Sequence, residues 1–185
     1  MQSRKIIAIL GLPGSGKSEV IDFIIEKYGW PKIYCGEPTF DELRRLKLPF
    51  TEKNERMVRE GLRKKFGSRY YGEQVIKKIK KIGGNKNIIL ESFYTWDEYI
   101  LFMEKFKTDF ITLAVHASPK IRYKRLKDRK ERPLTKKEAQ GRDYAQIENL
   151  KQGGPIAVTD YMIVNESTKE ELRKNVDNIV KKLKK

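Results

Sequence analysis

The sequence predicts an α/β fold, in which five parallel strands form one sheet with helices packed against both of its faces. Short apolar runs of strand length alternate along the chain with segments whose apolar residues recur at helical spacing. Parallel neighbours need long crossover connections, and helices supply them while covering both faces of the sheet. A chain of 185 residues suits one domain, so we expect a single domain over residues 1–185.

The predicted elements begin with a strand, a helix and a second strand, and a long helical segment separates the second strand from the third. The strands are predicted at residues 6–10, 32–35, 87–90, 110–115 and 160–164. Helices are predicted from residue 17 onward, at 41–48, from 51 to 66, at 68–82, 119–130 and 135–149, and in an amphipathic segment with Leu172, Val176, Ile179, Val180 and Leu183. Thr51 is the expected N-cap of the third helix.

A glycine-rich loop joins the first predicted strand to the first predicted helix, and positions 11–18 read Gly-Leu-Pro-Gly-Ser-Gly-Lys-Ser. This is the phosphate-binding pattern G-x-x-x-x-G-K-S/T in the strand–loop–helix context that it requires. The glycines let the backbone wrap a polyphosphate, and the helix presents its positive end to the same anion. Lys17 is expected to reach the β- and γ-phosphates of ATP, and Ser18 to bind Mg²⁺. The predicted nucleotide-binding residues of this loop are Gly11, Pro13, Gly14, Ser15, Gly16, Lys17 and Ser18.

The chain is strongly basic, with a formal net charge of +16 from 41 Lys and Arg residues and 25 Asp and Glu residues. Such a charge is typical of nucleic-acid binding, of binding to phosphate-rich small substrates, or of the Lys- and Glu-rich surfaces of heat-adapted proteins. Half of the excess lies between residues 120 and 137, where ten basic residues accompany two acidic ones. This concentration favours a site that neutralises phosphates over an extended basic surface.

The cysteine content and the hydropathy pattern indicate the compartment. Cys35 is the single cysteine, which excludes an internal disulfide and fits a reducing environment. No run of about 18 apolar residues is present, so no transmembrane helix is expected. We therefore expect a cytoplasmic protein, and the sequence is compatible with any oligomeric state.

Polar residues follow the predicted strands, at the edge of a parallel sheet where ligands bind. Glu37 follows the second strand and Glu91 follows the third, so two carboxylates are expected to converge near the bound phosphates. We interpret Glu91 as a catalytic residue and a water-mediated Mg²⁺ ligand rather than a helix cap. Glu37 is either a catalytic base that positions the acceptor or simply the first residue of a helix before Pro38. His116 and Cys35 are assigned no catalytic role.

Three segments resemble those of nucleotide kinases of the adenylate kinase and dephospho-CoA kinase group. The loop at 11–18 is similar to their loop, including Pro13. Residues 122–129 read Arg-Tyr-Lys-Arg-Leu-Lys-Asp-Arg and resemble the R-x-x-R-L-x-x-R entry to a lid. Residues 159–165 read Thr-Asp-Tyr-Met-Ile-Val-Asn and are similar to the closing strand and Asn turn of dephospho-CoA kinases.

The pattern over nearly the whole chain resembles in particular an uncharacterised archaeal nucleotide-kinase-like family. Its members share a Gly-Asp after the second strand, a Glu-Gly after the third, an Ile-His-Ala after the fourth and a final Asp-Tyr-x-Ile-x-Asn. Here these features read Gly36-Glu37, Glu91-Ser92, Val115-His116-Ala117 and residues 160–165. Two departures argue against an ordinary nucleoside monophosphate acceptor. Phe40 stands where relatives often place an arginine, and positions 91–94 lack the arginine of monophosphate kinases.

The resemblance implies a three-layer P-loop NTPase fold with a helical acceptor insertion over about 37–82 and a basic lid over about 120–145. It implies that Asn165 and Arg125 contact the nucleotide. It also implies that Arg125 and Arg129 act in catalysis by neutralising the transferring phosphates. Since phosphoryl transfer depends mainly on positioning and charge neutralisation, such cations are its expected catalytic groups.

We expect an ATP-dependent kinase whose acceptor is a nucleotide or nucleotide-like small molecule, dephospho-CoA among the candidates. Arg132 and Arg142 are further lid candidates, and Arg63 is a weaker candidate for holding an acceptor phosphate. The alternative is an ATPase or GTPase that works as a switch on RNA or a protein partner, with the basic segment as its binding surface. A nucleotide binder without catalysis is a second alternative. The sequence is compatible with ATP or GTP as the nucleotide. It is also compatible with either Glu37 or Glu91 as the principal carboxylate.

Overall fold

The computed structural model describes residues 4–183, and residues 1–3, 184 and 185 lie outside the described part of the chain. Within it, five parallel strands form one sheet in the order β2-β3-β1-β4-β5. The predicted α/β class is confirmed, with each strand boundary within one residue of the prediction. The strands are β1 (Ile6–Leu10), β2 (Lys32–Tyr34), β3 (Ile88–Glu91), β4 (Phe110–His116) and β5 (Tyr161–Val164).

Helices connect the strands and cover the sheet. They are α1 (Lys17–Tyr28), α2 (Glu37–Arg45), α3 (Glu52–Phe66), α4 (Tyr70–Lys81), α5 (Trp96–Phe106), α6 (Pro119–Lys127), α7 (Lys136–Glu148), α8 (Gly153–Ala157) and α9 (Lys169–Leu183). The helix predicted at 41–48 begins earlier, at Glu37, because Pro38 in its first turn is preorganised for a helix start. The helices α5 and α8 were not predicted.

The central strand β1 shows why a parallel sheet forms. All five of its residues are buried, as expected for a strand with neighbours on both sides and helices on both faces. Ile6 pairs with Ile88 of β3 and with Phe110 of β4. Successive side chains of β1 point to opposite faces of the sheet and enter two separate hydrophobic clusters.

Each face of the sheet has its own helices. On one face, Ile6, Ala8 and Leu10 belong to a cluster that includes Val75 of α4 and Phe102 of α5. On the other face, Ile7 and Ile9 belong to a cluster with apolar residues of α1 and α9, namely Val20, Ile21, Ile24, Val176 and Val180. This packing holds β1 firmly, and the glycine-rich loop follows directly from its carboxyl end.

The three helices between β2 and β3 form a smaller unit beside the sheet. Leu43 of α2, Val58 and Leu62 of α3, and Tyr71 of α4 make a third buried cluster. The predicted N-cap of α3 is present, since the Thr51 side chain accepts a hydrogen bond from the backbone of Asn54. Within the described residues, no helix is both long enough and apolar enough to cross a membrane.

Candidate active site

The glycine-rich loop adopts a conformation that only glycine accommodates at its first and last glycines. Gly11 has φ 138° and Gly16 has φ 103°, both in the region that side chains rarely adopt. A Cβ on Gly11 would lie 2.3 Å from the carbonyl oxygen of Val115, and one on Gly16 would lie 2.2 Å from the Asn165 amide nitrogen. The loop backbone is therefore pressed against the ends of β4 and β5, as a cradle for phosphate requires.

Lys17 extends its amino group back across the loop. Its Nζ donates to the carbonyl oxygen of Gly11 at 2.7 Å and to that of Leu12 at 3.2 Å. Burial, helped by repulsion from Arg129 and Arg122, lowers the pKa of Lys17 to about 8. The charged amino group is thus poorly compensated by the protein, and a polyphosphate in the loop would stabilise it. Ser18 lies exposed in the first turn of α1.

Side chains from outside the loop bind three of its backbone carbonyls. The Asn165 amide donates to the Ser15 carbonyl at 2.8 Å, and the Gln152 amide donates to the Gly11 carbonyl at 3.3 Å. Arg122 donates to the Pro13 carbonyl at 3.1 Å. With these carbonyls held on the outer side, the loop keeps its conformation. Asn165, which the resemblance assigned to nucleotide contact, binds the loop backbone in this structure.

Arg122 forms a buried ion pair that sequence reasoning missed. Its guanidinium donates to both Asp143 oxygens, at 2.9 and 2.6 Å, and its Nε donates to the Ala117 carbonyl at 3.0 Å. The Tyr123 hydroxyl also donates to Asp143. The pair joins α6, α7 and the loop. Its signal in the sequence is the i, i+4 spacing of Arg122 and the buried Leu126, which places Arg122 on the inward face of α6.

The predicted lid arginines separate into two groups. Arg125, on α6, has a buried Nη1 with no hydrogen-bond partner among the described residues, and the charge of Arg129 acts on Lys17. Arg129 thus acts on the loop, whereas the charge of Arg125 acts on Glu166, after β5. Arg142 instead pairs with Glu52 of α3 at 2.9 Å, which ties the predicted lid to the helices between β2 and β3. Arg132 is exposed and influences the pKa of Glu52.

The two predicted carboxylates have different surroundings. Glu91 ends β3 and pairs with Lys32 of β2 at 2.8 Å. It is close enough to the loop for its charge to raise the pKa of Lys17. Glu37 is the first residue of α2, and its carboxylate pairs with Lys78 of α4. Of the two, Glu91 is the one that acts on the loop electrostatically.

A cleft of about 420 Å³, counted with its open mouth, lies next to the carboxyl ends of β2 and β3. It begins at Ser92, the residue after Glu91, and reaches the inner surface of α3. Burial raises the pKa of Tyr34 to about 12 and raises that of Cys35, so both are neutral wall residues. Other aromatic wall residues are Phe40, Tyr71 and Tyr94.

Comparison with known structures shows which proteins share this fold. A gluconokinase from Sinorhizobium meliloti 1021 superposes with a TM-score of 0.61 at 16% identity, covering 99% of this chain and 97% of its own. A shikimate kinase from Bacteroides thetaiotaomicron superposes with a TM-score of 0.59 at 15% identity, covering 96% and 98%. The chain therefore has a P-loop kinase fold. A family model described as an AAA domain matches residues 10–151, from the end of β1 past α7.

Sequence relatives identify the family. The UPF0200 protein of Thermococcus onnurineus is 31% identical over 182 residues, which cover 96% of this chain and 97% of the relative. That of Sulfurisphaera tokodaii is 33% identical over 185 residues, covering 97% of each. This chain belongs to the UPF0200 family. The resemblance to P-loop nucleotide kinases and to an archaeal family, expected from the sequence, is confirmed.

The buried ion pair can be tested by removing one charge and then both. Arg122→Met leaves Asp143 buried without its partner, so we expect a loss of about 3–5 kcal/mol in the free energy of unfolding. Arg122→Met combined with Asp143→Leu should recover most of that stability. ATP binding should stay weakened in the double variant, because the Pro13 carbonyl has lost its donor. Denaturant unfolding and calorimetry measure both quantities.

Lys124→Met is the matched control, since Lys124 is an exposed neighbour on the same helix. It should change neither stability nor ATP affinity. A single variant as stable as the control, or full recovery of ATP affinity in the double variant, would show that the pair does not position the loop.

The lowered pKa of Lys17 predicts a pH dependence of ATP binding. Polyphosphate binds the protonated amine, so affinity should be constant below pH 8 and fall by about tenfold at pH 9. Without ATP, rising pH has the opposite effect on this group's contribution to stability. The unfolded chain holds the Lys17 proton more tightly, so this group adds stability as pH rises from about 8 to 10.5. Calorimetric titration with ATP across this range measures the first effect. Lys17→Arg stays charged and should show no such fall, and an equal fall in both proteins would contradict the assignment.

Proposed function

We propose that this protein is an ATP-dependent kinase that transfers the γ-phosphoryl group to a nucleotide-like small molecule bound in the cleft. The observation that carries the proposal is the adjacency of two sites at one edge of the sheet. The loop with Lys17 follows β1, and the cleft opens at the ends of the neighbouring strands β3 and β2. Glu91 and Ser92 lie between them in strand order. A phosphoryl donor and an acceptor held at these places would meet next to Glu91.

The donor side would bind ATP through the loop backbone and Lys17. Arg125 and Arg129 are proposed to neutralise the phosphates as catalytic groups, since one has an unpartnered buried nitrogen and the other already acts on Lys17. The segment over about 120–145 would serve as the lid. Asn165 would contribute by holding the Ser15 carbonyl rather than by reaching the nucleotide directly.

The residues beside the loop suit Mg²⁺. Ser18 offers an exposed hydroxyl in the first turn of α1, and Glu91 offers a half-buried carboxylate near Lys17. Mg²⁺ favours one or two protein oxygens, with water and phosphate oxygens completing its shell. We therefore propose that Ser18 holds it directly and Glu91 through water. When bound, the ion supplies charge neutralisation on the β- and γ-phosphates.

The acceptor side would be the unit of α2, α3 and α4, over about 37–82. Glu91 is proposed as the principal catalytic carboxylate, because its charge acts on Lys17, whereas Glu37 starts α2 and pairs with Lys78 of α4. Glu37, in the first turn of α2, would then help to position the acceptor. The buried free thiol of Cys35 supports a cytoplasmic location, where cysteines remain reduced.

A second candidate function rests on the outer surface of α6. Lys120, Lys124 and Lys127 are all exposed and follow one another at helical spacing, so they form a basic stripe on α6. Such a stripe attracts nucleic-acid phosphates, which supports the alternative of a P-loop ATPase or GTPase acting as a switch on RNA. The kinase remains the preferred function because the cleft lies beside the loop, whereas the stripe faces solvent.

Two substitutions separate binding from catalysis. Lys17→Ala should abolish productive binding of ATP with Mg²⁺ without unfolding the protein. Glu91→Gln should lower phosphoryl transfer about 100-fold and change ATP affinity less than about threefold. Calorimetry gives the affinities, and transfer of labelled phosphate from ATP to a panel of nucleosides, nucleotides and dephospho-CoA gives the rates.

The same panel assigns the carboxylate. Glu37→Gln should lower transfer less than Glu91→Gln does. A larger loss in the Glu37 variant would reverse the assignment, and unchanged ATP affinity in Lys17→Ala would remove the phosphate loop from the mechanism.

A salt titration distinguishes the kinase from the RNA switch. Any chain with this net charge holds RNA at low salt, so we expect weak binding that disappears by about 200 mM salt. Phosphoryl transfer should persist at that salt, because charges in a closed pocket are screened less. Replacing Lys120, Lys124 and Lys127 by glutamine should weaken RNA binding and leave transfer unchanged. Selective RNA binding at 200 mM salt, with RNA-stimulated ATP hydrolysis and no acceptor phosphorylated, would favour the switch.

A further inference from the structure

The helix α3 directs two arginines into the cleft. Val58 and Leu62 are buried against Leu43 and Tyr71, which fixes the rotation of α3 about its axis. Arg59 and Arg63 follow these two residues by one position each, so they share the adjacent face, one turn apart. Both line the cleft. Their placement follows from the packing of α3 and not from any motif.

Arg63 is only partly compensated by the protein. Its guanidinium lies 3.7 Å from the Glu98 carboxylate, beyond hydrogen-bond distance, and 4.9 Å from the centre of the Tyr71 ring. Its side chain is 19% exposed, and its buried Nε has no hydrogen-bond partner among the described residues. A buried guanidinium nitrogen without an acceptor is costly, so an acceptor from a ligand would stabilise it.

The carboxylate nearest to Arg63 serves another purpose. Glu98 accepts hydrogen bonds from the backbone nitrogens of Thr95 and Tyr94, and so completes the capping box of α5. Burial raises the pKa of Glu98, with Arg63 acting in the opposite direction. Glu98 therefore orients Arg63 without forming a tight pair with it.

Arg59 is the second cation of the cleft. Within the described part of the chain it makes no salt bridge, although its charge contributes to lowering the pKa of Glu52. Glu55, one turn earlier on α3, is the other carboxylate that lines the cleft besides Glu98. It also forms no salt bridge with any of the described residues. The lining holds two guanidinium groups and two carboxylates, but Glu98 is already bound by backbone nitrogens at the start of α5. The unpartnered Nε of Arg63, with Arg59 beside it, therefore favours binding of an anion.

Much of the remaining wall of the cleft is aromatic. Tyr34 and Phe40 stack with ring centres 5.7 Å apart and planes 21° apart, and Tyr94 lies nearby with its hydroxyl bonded to Ser92. Aromatic faces of this kind suit a planar or apolar ligand body. The cleft therefore combines a cationic end with an aromatic wall.

We propose that the acceptor carries its own oxyanion, a phosphate monoester or a carboxylate, which Arg59 and Arg63 bind, while its body lies against the aromatic wall. Arg63 offers a planar fork suited to either oxyanion. The two arginines of α3 would replace the cations that are missing at position 40 and in residues 91–94. The proposal rests on the kinase function proposed above and specifies the acceptor class of that site.

Direct anion binding tests the proposal without knowledge of the natural acceptor. The donor site is first saturated with a non-hydrolysable ATP analogue and Mg²⁺, so that added anions report on the cleft. Inorganic phosphate and acetate are then titrated separately by calorimetry, one for each kind of oxyanion. We expect one of them to bind with a dissociation constant on the order of 1 mM. The stronger of the two identifies the group that the acceptor carries.

Substitutions assign the binding to the two arginines. Arg59→Gln and Arg63→Gln should each weaken anion binding at least about tenfold, and Arg63→Lys should give an intermediate loss because lysine lacks the planar fork. Arg56→Gln is the matched control, since Arg56 lies on the same helix, is exposed and pairs with Glu60. It should bind the anions as the wild type does. Arg59→Gln and Arg63→Lys keep the test valid should Arg63→Gln fail to fold.

Matched organic probes extend the test. AMP should bind at least about tenfold more tightly than adenosine, or nicotinate more tightly than nicotinamide, with the difference removed by Arg59→Gln. No saturable binding of either anion, or equal binding in the arginine variants and Arg56→Gln, would overturn the proposal. Anion binding through Arg59 and Arg63 without phosphoryl transfer to any acceptor would retain the anion site and remove the kinase. Transfer to a neutral acceptor that neither glutamine variant affects would retain the kinase and remove the anion site.

Discussion

The buried ion pair between Arg122 and Asp143 is the interaction on which the candidate site depends. Taking two charges out of water is costly and is tolerated where hydrogen bonds satisfy the remaining donors and acceptors. Here the carbonyls of Ala117 and Pro13 accept from Arg122, and Tyr123 donates to Asp143. Because these groups belong to α6, α7, the end of β4 and the glycine-rich loop, one pair fixes the loop relative to the basic segment.

Part of the positive charge of the chain lies next to the candidate site. Lys17 lies in the loop and Arg129 acts on it, and Arg59 and Arg63 line the cleft at the neighbouring strand ends. Burial, together with repulsion from Arg129 and Arg122, lowers the pKa of Lys17. In the proposed phosphoryl transfer two anionic partners would also repel each other, and these cations would offset that repulsion.

Local signals in the sequence predicted much of the fold. Apolar runs located the five strands, and the capping residue Thr51 located the start of α3. The helix α5 is not predicted, because its sequence is apolar around much of its circumference and shows no clear amphipathic period. The spacing of Thr95 and Glu98 is that of a capping box and is the local signal for its start. The helix α8, only five residues long, has too few turns to show a period.

The sequence by itself determined the phosphate loop. Its glycines set the backbone conformation, and Lys17 lies within the same eight consecutive residues. Tertiary structure decided which charged residues serve that loop. Arg122 and Arg125 look alike in the sequence, yet one is paired with Asp143 and the other has an unpartnered nitrogen. Arg63 enters the cleft only because packing sets the rotation of α3. Such contacts join residues tens of positions apart, and the helix orientations that create them follow from burial of the whole apolar surface.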